Sequence, residues 1–284
     1  MKNSSLLVVL GKSARPVDLE PLSESARERN LHLIVLILGE MPPIPVYTYG
    51  TGGYEAYALP VSWQENVDKL NTELEALRAE TSQYLANQGA SAEVRVVSGE
   101  AAALRGAVAR AGLTCDTIVI GNDLHKDEDL FADTVRAALV KTSAGVMLNA
   151  TGSTTALQPK SVFVAWKAGI PASRAVRASL PLLRSAENVT VALIDPVTTR
   201  WQDGENPGTD VAAWLTHHGC NVTVQQYPSG DQEIGIVMMK RARDSGADLI
   251  VMGAYDHSRL RETVFGGTTR TLIHQQDFPV FLCH

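Results

Sequence analysis

The chain has 284 residues, of which 45% are hydrophobic and 20% charged, enough to bury the cores of two ordinary domains. Its formal net charge of −6 disfavours a sequence-independent nucleic-acid binder and a binder of anionic membranes. The apolar part of the N-terminus is too short for a signal peptide, and no segment approaches the ~18 apolar residues of a membrane span, so we expect a cytoplasmic protein. Cys115, Cys220 and Cys283 form no CxxC pair, which predicts three reduced, mostly buried thiols.

The first half of the sequence alternates apolar strand segments with helical ones. The segment 31–38 is almost wholly apolar, and such runs bounded by helices are typical of strands in a parallel sheet that is covered on both faces. Ser62 and Glu65 have the spacing of a capping box at the start of a long helix, and Gly89 is suited to end it. Strands are predicted at 6–10, 31–38, 92–97, 117–121 and 145–149, and helices at 17–29, 62–89, 100–111 and 130–141.

Residues 39–60 interrupt this pattern with prolines, glycines and four tyrosines, and they predict an irregular insertion. The second half of the chain has no counterpart to it. The tyrosines are consistent with a docking or lid surface, because amphipathic aromatic side chains concentrate at interfaces. A plain ordered loop explains them equally well, and both interpretations stay open for Tyr47, Tyr49, Tyr54 and Tyr57.

The second half repeats the first. "SLLVVLGK" (5–12) resembles "SVFVAWKA" (161–168), and "CDTIVIGND" (115–123) resembles "ADLIVMGAY" (247–255), in the same order. We therefore predict two copies of one domain at 1–149 and 160–284, joined by an exposed linker at 150–159. The second copy has predicted strands at 161–166, 188–195, 221–227, 248–253 and 279–283, and helices at 171–186, 209–218, 231–245 and 268–276.

This alternation predicts an α/β protein with two doubly wound, five-stranded parallel-sheet domains and helices on both faces. In such sheets ligands bind beyond the carboxyl ends of the strands. We therefore expect a crevice in the second copy that is bordered by Trp166 and Lys167, by Leu193, and by the loop 253–269.

Residues 160–284 resemble a universal stress protein domain, through "FVAWKAGIPASRAVRASLPLL" (163–183), "VTVALID" (189–195) and the closing block from Ala247. The first copy is similar only in its order of elements and its "DTIVIG" strand, so the resemblance implies a tandem member with a degenerate first copy. It further implies the adenine-nucleotide α-hydrolase-like fold and pairing of the last strands of the two copies, 145–149 and 279–283, into an intramolecular pseudo-dimer. A homodimer of the whole chain is left open.

The nucleotide-binding members of that family carry G-x2-G-x9-G-[S/T] after the fourth strand. Gly253 fills the first position here, Asp256 replaces the second glycine, Gly266 fills the third, and Gly267 stands where a hydroxyl is expected. Two hydroxyl residues, Thr268 and Thr269, follow at once, and Lys167 stands where the family has an acidic or small polar residue.

The carboxylate of Asp256 opposes a phosphate guest. At a separation of about 4 Å it costs on the order of 4 kcal/mol per charge pair at an effective dielectric of 20. Mg²⁺ could reverse this sign, since it commonly bridges a carboxylate to phosphates, and Lys167 or Arg259 could offset the charge. ATP or another adenine nucleotide, with Mg²⁺, is thus a candidate ligand of the second copy, against the alternative of a degenerate or differently occupied pocket.

The loop that follows the fourth strand of the first copy is acidic. Asp123, Asp127, Glu128 and Asp129 are suited to cap the next helix, and they would repel phosphate. The nucleotide prediction is therefore confined to the second copy.

Other polar residues carry weaker signals. Among residues near the second loop, His257 could act as an acid or base, and Arg259, Arg261 and Arg270 could reach an anion, although solvated positions explain them as well. "HHGC" (217–220) and Cys283–His284 contain metal-ligand residue types, but both are short and at chain turns or ends, so no metal site is predicted.

The predicted function is a stress-response binding or regulatory module without turnover, with a nucleotide or protein partner. The alternative is an ATP-hydrolysing or adenylyl-transferring enzyme of related fold, but the sequence has no P-loop, no G-x-S-x-G elbow and no His-x-x-Glu-His motif. A third possibility is a purely partner-binding protein with an empty pocket.

Overall fold

In a computed structural model of the chain, the described residues are 3–45, 59–199, 205–254 and 266–284. Most of the predicted insertion, with its four tyrosines, lies outside them. Part of the loop 253–269 also lies outside them, including four residues that the sequence singles out: Asp256, His257, Arg259 and Arg261.

The described residues form an α/β structure in which strands and helices alternate along the chain. The strands are β1 Ser5–Gly11, β2 His32–Glu40, β3 Ser91–Gly99, β4 Thr117–Ile120, β5 Gly145–Leu148, β6 Ser161–Ala165, β7 Asn188–Ile194, β8 Val222–Tyr227, β9 Leu249–Gly253 and β10 Val280–Cys283. The helices are α1 Glu20–Arg29, α2 Val61–Asn87, α3 Ala101–Gly112, α4 Glu128–Lys141, α5 Ile170–Ala178, α6 Leu180–Leu183, α7 Thr209–His217, α8 Ile234–Asp244 and α9 Gly267–His274. Short 3₁₀ turns lie at Pro16–Leu19 and Asn122–Lys126.

All ten strands belong to one sheet, in the order β3-β2-β1-β4-β5-β10-β9-β6-β7-β8. Each half contributes five parallel strands, and the doubly wound order 3-2-1-4-5 is the same in both. The halves meet where β5 and β10 pair antiparallel, with Val280 opposite Leu148, Phe281 opposite Met147 and Leu282 opposite Val146. The predicted fold class is confirmed, and the two predicted sheets are joined into one.

The core lies on both faces of this sheet, because the inner strands are apolar on both sides, whereas the edge strands β3 and β8 carry exposed polar residues. One face packs under α1, α2, α5, α6 and α7, and the other under α3, α4, α8 and α9. Both faces continue across the β5–β10 seam: Met147 and Phe281 belong to the first cluster, and Val146 and Leu282 to the second. In the described residues, no helix combines the length and apolarity needed to cross a bilayer.

Several predicted boundaries are wrong. Helix α2 begins at Val61 after Pro60, and no side chain among the described residues caps it, so Ser62 and Glu65 do not form the predicted capping box. Strand β2 runs to Glu40, two residues into the predicted insertion. The helix predicted over 171–186 is interrupted at Ser179, because Pro181 cannot donate a backbone hydrogen bond to the preceding turn. Gly89, by contrast, has φ +67° and ends α2 as predicted.

The segment 150–159 is not the exposed linker that its small and polar residues suggest. Ala156 is 0% exposed and Leu157 is 3% exposed, and both belong to the core of one sheet face. The Gly152 N–H donates to the Asp18 carbonyl at 3.0 Å, which ties the segment to the first half of the chain. The two apolar side chains therefore anchor the connection rather than leaving it in solvent.

Candidate functional site

The crevice that the sequence predicts in the second half would lie at the carboxyl ends of β6, β7 and β9. Strand β6 is central: Ala165 pairs with Ala192 on one side and with Met252 on the other. The Trp166 N–H continues this ladder by donating to the Ala192 carbonyl at 2.8 Å. Trp166, which follows β6, therefore lies at the same level of the sheet as Leu193 near the end of β7 and Gly253 at the end of β9.

Gly253 is required for packing. A Cβ atom at this position would overlap the backbone of Pro171 and Ala172, at the start of α5. The glycine lets α5 approach β9 closely. The chain therefore leaves the end of β9, at Gly253, directly against the first turn of α5. The glycine that the sequence marks as the first of the loop motif thus has a structural role of its own.

Helix α9 starts at Gly267, after its N-cap Gly266, where the described residues resume after Ala254. Its N-cap, Gly266, is exposed, no side chain among the described residues caps the helix, and a Cβ atom on Gly266 would meet nothing within 4 Å. Thr268 is half-buried and Thr269 is buried. An uncapped helix start, with small residues around it, offers backbone N–H groups and the positive end of the helix dipole to an anion.

One carboxylate lies near this helix start. Glu233 caps α8, accepting from Gly235 N at 3.0 Å and Ile236 N at 3.1 Å. A Cβ atom on Gly267 would lie 3.9 Å from its Oε1 atom. Because both carboxylate oxygens already accept from α8, Glu233 is held in place by its own helix.

Two other predicted residues differ in their surroundings. Lys167 is exposed directly after β6, whereas Leu193 is 2% exposed and belongs to the core. A Cβ atom on Gly208, which has φ +82°, would lie 2.7 Å from Leu193 Cδ1, so the chain before α7 covers Leu193. Trp166 is half-buried and packs against the same core. The contacts of Leu193 are those of a core side chain.

Asp195 is a polar residue at this edge that the sequence reasoning missed. It has φ +47° at the end of β7, and its carboxylate accepts from the Ser229 N–H at 2.9 Å and from the Ser229 hydroxyl. These hydrogen bonds hold the pKa of the Asp195 carboxyl below its ordinary value. An Asp between a strand and Pro196 is a recognisable turn signal, and it links the ends of β7 and β8.

The equivalent crevice of the first half contains a cavity of about 270 Å³ beside Leu10, Asp18 and Asp123. The Asp123 Oδ2 atom accepts from the Gly11 N–H at 3.0 Å, at the end of β1. Cβ atoms on Gly11 and Gly121 would lie 2.8 Å from Oδ2 and 2.7 Å from Oδ1 of this carboxyl. The carboxyl therefore lies over the ends of both central strands, and burial raises its pKa.

A second backbone donor of this crevice is also occupied by the chain itself. The Asn122 N–H donates to Thr151 Oγ1 at 3.0 Å. Asp127 caps α4 by accepting from Leu130 N at 3.1 Å, as predicted, but Asp123 contacts β1 instead of capping the helix. Because side chains already accept from the Gly11 and Asn122 amides, a phosphate would have to displace them as well as approach a carboxylate.

Histidines and cysteines of the segments 217–220 and 283–284 contact other parts of the protein. The His218 ring contacts that of Trp214 in a tilted arrangement, with centroids 4.2 Å apart, and His284 Nδ1 lies 3.2 Å from the Ala254 carbonyl oxygen. Over the described ranges, no three His, Cys, Asp or Glu residues are grouped to hold a metal ion. The three thiols are free, two of them buried, and burial raises the pKa of each: Cys115, Cys220 and Cys283.

The topology defines the class of protein: a doubly wound α/β protein, a class in which ligands bind at the carboxyl edge of the sheet. Within this class, residues 229–284 match the family model described as the universal stress protein family. This stretch includes α8, β9, α9 and β10, and therefore both sides of the second-half loop. The match covers the closing part of the segment whose sequence resembles that family.

Solved structures extend the likeness over the whole chain. A universal stress protein from Archaeoglobus fulgidus DSM 4304 superposes with a TM-score of 0.67 at 14% identity, over 98% of this chain and 97% of that one. A protein from Pseudomonas aeruginosa UCBPP-PA14, provisionally identified as a universal stress protein, gives 0.55 at 14%, over 99% and 93%. A functionally unknown protein from Pseudomonas aeruginosa PAO1 gives 0.54 at 13%, over 99% and 92%. At such identities the likeness shows the fold; no curated protein sequence matches the chain.

Proposed function

We propose that the chain is a cytoplasmic stress-response binding module without catalytic turnover, and that its second-half crevice holds an anionic ligand of the nucleotide phosphate class. The observation that carries this proposal is the start of α9. Its N-terminus is uncapped by any described side chain, flanked by Gly266 and Gly267, and located after β9 where ligands of this sheet class bind.

The charges of the two crevices favour the second half over the first. Lys167 is exposed at the end of β6, and the first turn of α9 supplies backbone N–H groups. In the first half, the Asp123 carboxyl lies over the corresponding strand ends and accepts from Gly11. In the first half a phosphate group would therefore have to displace a carboxylate from the strand ends, whereas in the second half Lys167 and the start of α9 favour an anion and oppose the charges of Glu233 and Asp256.

Asp256 makes the proposed binding depend on a divalent cation. Its sequence position is three residues after Gly253, within the loop that joins β9 to α9. A carboxylate near a phosphate opposes binding, whereas Mg²⁺ held between the two converts the same carboxylate into a ligand. We therefore expect ATP to bind more weakly when Mg²⁺ is removed with EDTA.

Calorimetric titration of the full chain with ATP, with Mg²⁺ and with EDTA, tests this proposal. In EDTA, Asp256→Asn is expected to bind ATP at least tenfold more tightly than the parent, because the substitution removes the opposing charge and keeps the size of the side chain. With Mg²⁺ present, the gain in ATP affinity of Asp256→Asn over the parent is expected to shrink or reverse. Lys167→Gln is expected to weaken binding under both conditions.

The matched control is Asp68→Asn, which removes one negative charge from the exposed surface of α2 in the first half. It should leave ATP affinity within twofold of the parent. Failure of the parent and of Asp256→Asn to bind ATP would contradict the nucleotide proposal and favour a partner-binding protein. Steady release of ADP from ATP by the purified chain would contradict a module without turnover.

A further inference from the structure

Two histidines from different halves of the chain meet around one buried aromatic ring. His125, in the 3₁₀ turn Asn122–Lys126, has its ring centroid 4.0 Å from that of Phe131 on α4. Phe131 is 2% exposed, and its ring also makes an edge contact with His274, the last residue of α9, at 6.4 Å. The contact therefore joins the α4 side of the first half to α9 of the second.

A buried asparagine completes the cluster and fixes its geometry. Asn149 follows β5, is 6% exposed and has φ +56°. Its Nδ2 atom donates to the Gln275 carbonyl at 2.8 Å and to the Phe278 carbonyl at 3.1 Å, both just after α9. Since both amide hydrogens are used, Oδ1 is the acceptor that lies 3.2 Å from His125 Nε2.

We propose that His125 and His274 form an acid-sensitive contact that holds α9 in place, so that acidification loosens this helix and weakens ligand binding at its other end. The last step rests on the proposed function. Helix α9 has eight residues and is therefore about 12 Å long, with Gly267 at the crevice and His274 in the cluster. A shift at one end of so short and rigid an element is transmitted to the other.

The electrostatics of the cluster agree with a loss of stability on acidification. Burial lowers the pKa of His125, the hydrogen bond to Asn149 opposes this effect, and the charge of His274 lowers the pKa further. The side chains that α4 and the end of β5 contribute, Phe131 and Asn149, are uncharged. The titratable group that acts on His125 from α9 is His274, and its charge opposes protonation of His125 beside the buried ring of Phe131.

The sign of the stability effect follows from the lowered pKa. The folded state prefers neutral imidazole at His125, so its contribution to stability is complete above the ordinary histidine pKa of about 6.5. It declines as the pH falls through that value toward the lower pKa of the folded state. Below the folded pKa both states carry the proton and the loss levels off.

Thermal unfolding of the full chain between pH 7.5 and pH 5.0 tests the contact, by comparison of the parent with His125→Gln. The parent is expected to lose more of its melting temperature than the variant over this interval. The matched control, His217→Gln, changes an exposed histidine on α7 and should follow the parent. Parallel pH profiles for the parent and His125→Gln would overturn the proposal.

Hydrogen exchange on the parent itself keeps the test independent of how well the variant folds. After correction for the intrinsic pH dependence of exchange, protection of the α9 amides should fall at least tenfold between pH 7.5 and 5.5, relative to amides of α1. Equal changes in both helices would overturn the acid-sensitive contact.

The coupling to ligand binding is measured with Mg²⁺ and ATP as the probe. Because ATP itself titrates in this range, affinities at pH 7.5 and 5.5 are compared as a ratio between the parent and His125→Gln. The parent is expected to lose at least fivefold more affinity. An equal loss would overturn the coupling; absence of ATP binding at both pH values would overturn the proposed function, while the stability and exchange measurements still decide the contact.

Discussion

Among single residues, Asp123 bears the strongest conflict between its charge and its position. Its carboxyl is largely buried over the ends of β1 and β4, and the Oδ1 atom is buried without a hydrogen-bond partner among the described residues. Burial raises its pKa more than the hydrogen bond from Gly11 and the charge of Lys126 lower it. Ionisation of Asp123 therefore lowers the stability of the folded state. The same negative charge opposes the entry of anions into the first-half crevice.

Replacement of Asp123 by asparagine should stabilise the protein at neutral pH. The Asn side chain is neutral and can keep the acceptor for Gly11, so it removes the cost of a buried charge. Because the folded pKa is raised, this cost develops as pH rises from the unfolded pKa toward the folded one and is constant above. Urea unfolding at pH 4 and pH 7.5 should show that the advantage of Asp123→Asn grows with pH; an equal difference at both values would contradict this account.

Sequence reasoning at this scale works where one residue decides a local conformation. Gly89 and Asp127 could be predicted because a left-handed helix end and an N-cap depend on the residue itself. Asn149 could not, since its two donors point to carbonyls more than 120 positions away. The burial of Asp123 likewise depends on strands that meet only in the folded sheet.

At the scale of elements, the pairing of β5 with β10 depends on a glycine. A Cβ atom on Gly145, the first residue of β5, would overlap the ring of Phe281, which is 0% exposed on β10. The Phe281 ring thus occupies the space that a side chain at position 145 would fill, and this contact crosses the seam between the two halves. This packing contributes to the continuity of the core from one half to the other.

Gly145→Ala is expected to destabilise the chain by about 1–3 kcal/mol, the usual cost of overpacking a core. The matched control is Gly106→Ala, on the exposed surface of α3, where a Cβ atom would meet nothing within 4 Å. That variant should gain about 0.5–1 kcal/mol from helix propensity. Chemical denaturation of both variants gives the comparison, and equal free energies of unfolding would contradict the proposed role of Gly145.

Elements were predictable where periodicity alone determines them. The apolar segments gave every strand within a few residues, and the fold class followed from their alternation with helices. The capping of α2 and the burial of Leu157 were predicted wrongly for different reasons. Ser62 is exposed on the first turn of its helix, whereas Leu157 lies in a small and polar segment whose burial is imposed by the two halves that enclose it.

For the whole molecule, the ten-stranded sheet predicts that the two halves unfold together. They share both faces of the core across β5 and β10, so loss of one half would leave β5 or β10 as an unpaired edge. This expectation can be tested because three of the four tryptophans, Trp166, Trp201 and Trp214, lie in the second half. In the background of Trp63→Phe, fluorescence then reports the second half alone.

Val119→Ala changes the first half only, in β4, where the side chain is 0% exposed. It should remove about 2 kcal/mol of stability, in keeping with large-to-small changes in cores. If unfolding is cooperative, the urea midpoint of tryptophan fluorescence falls together with that of circular dichroism, although Val119→Ala changes no residue of the second half. If the fluorescence midpoint is unchanged while circular dichroism resolves an earlier phase, the two halves unfold independently. The acid-sensitive contact between the halves would then contribute little to the stability of α9.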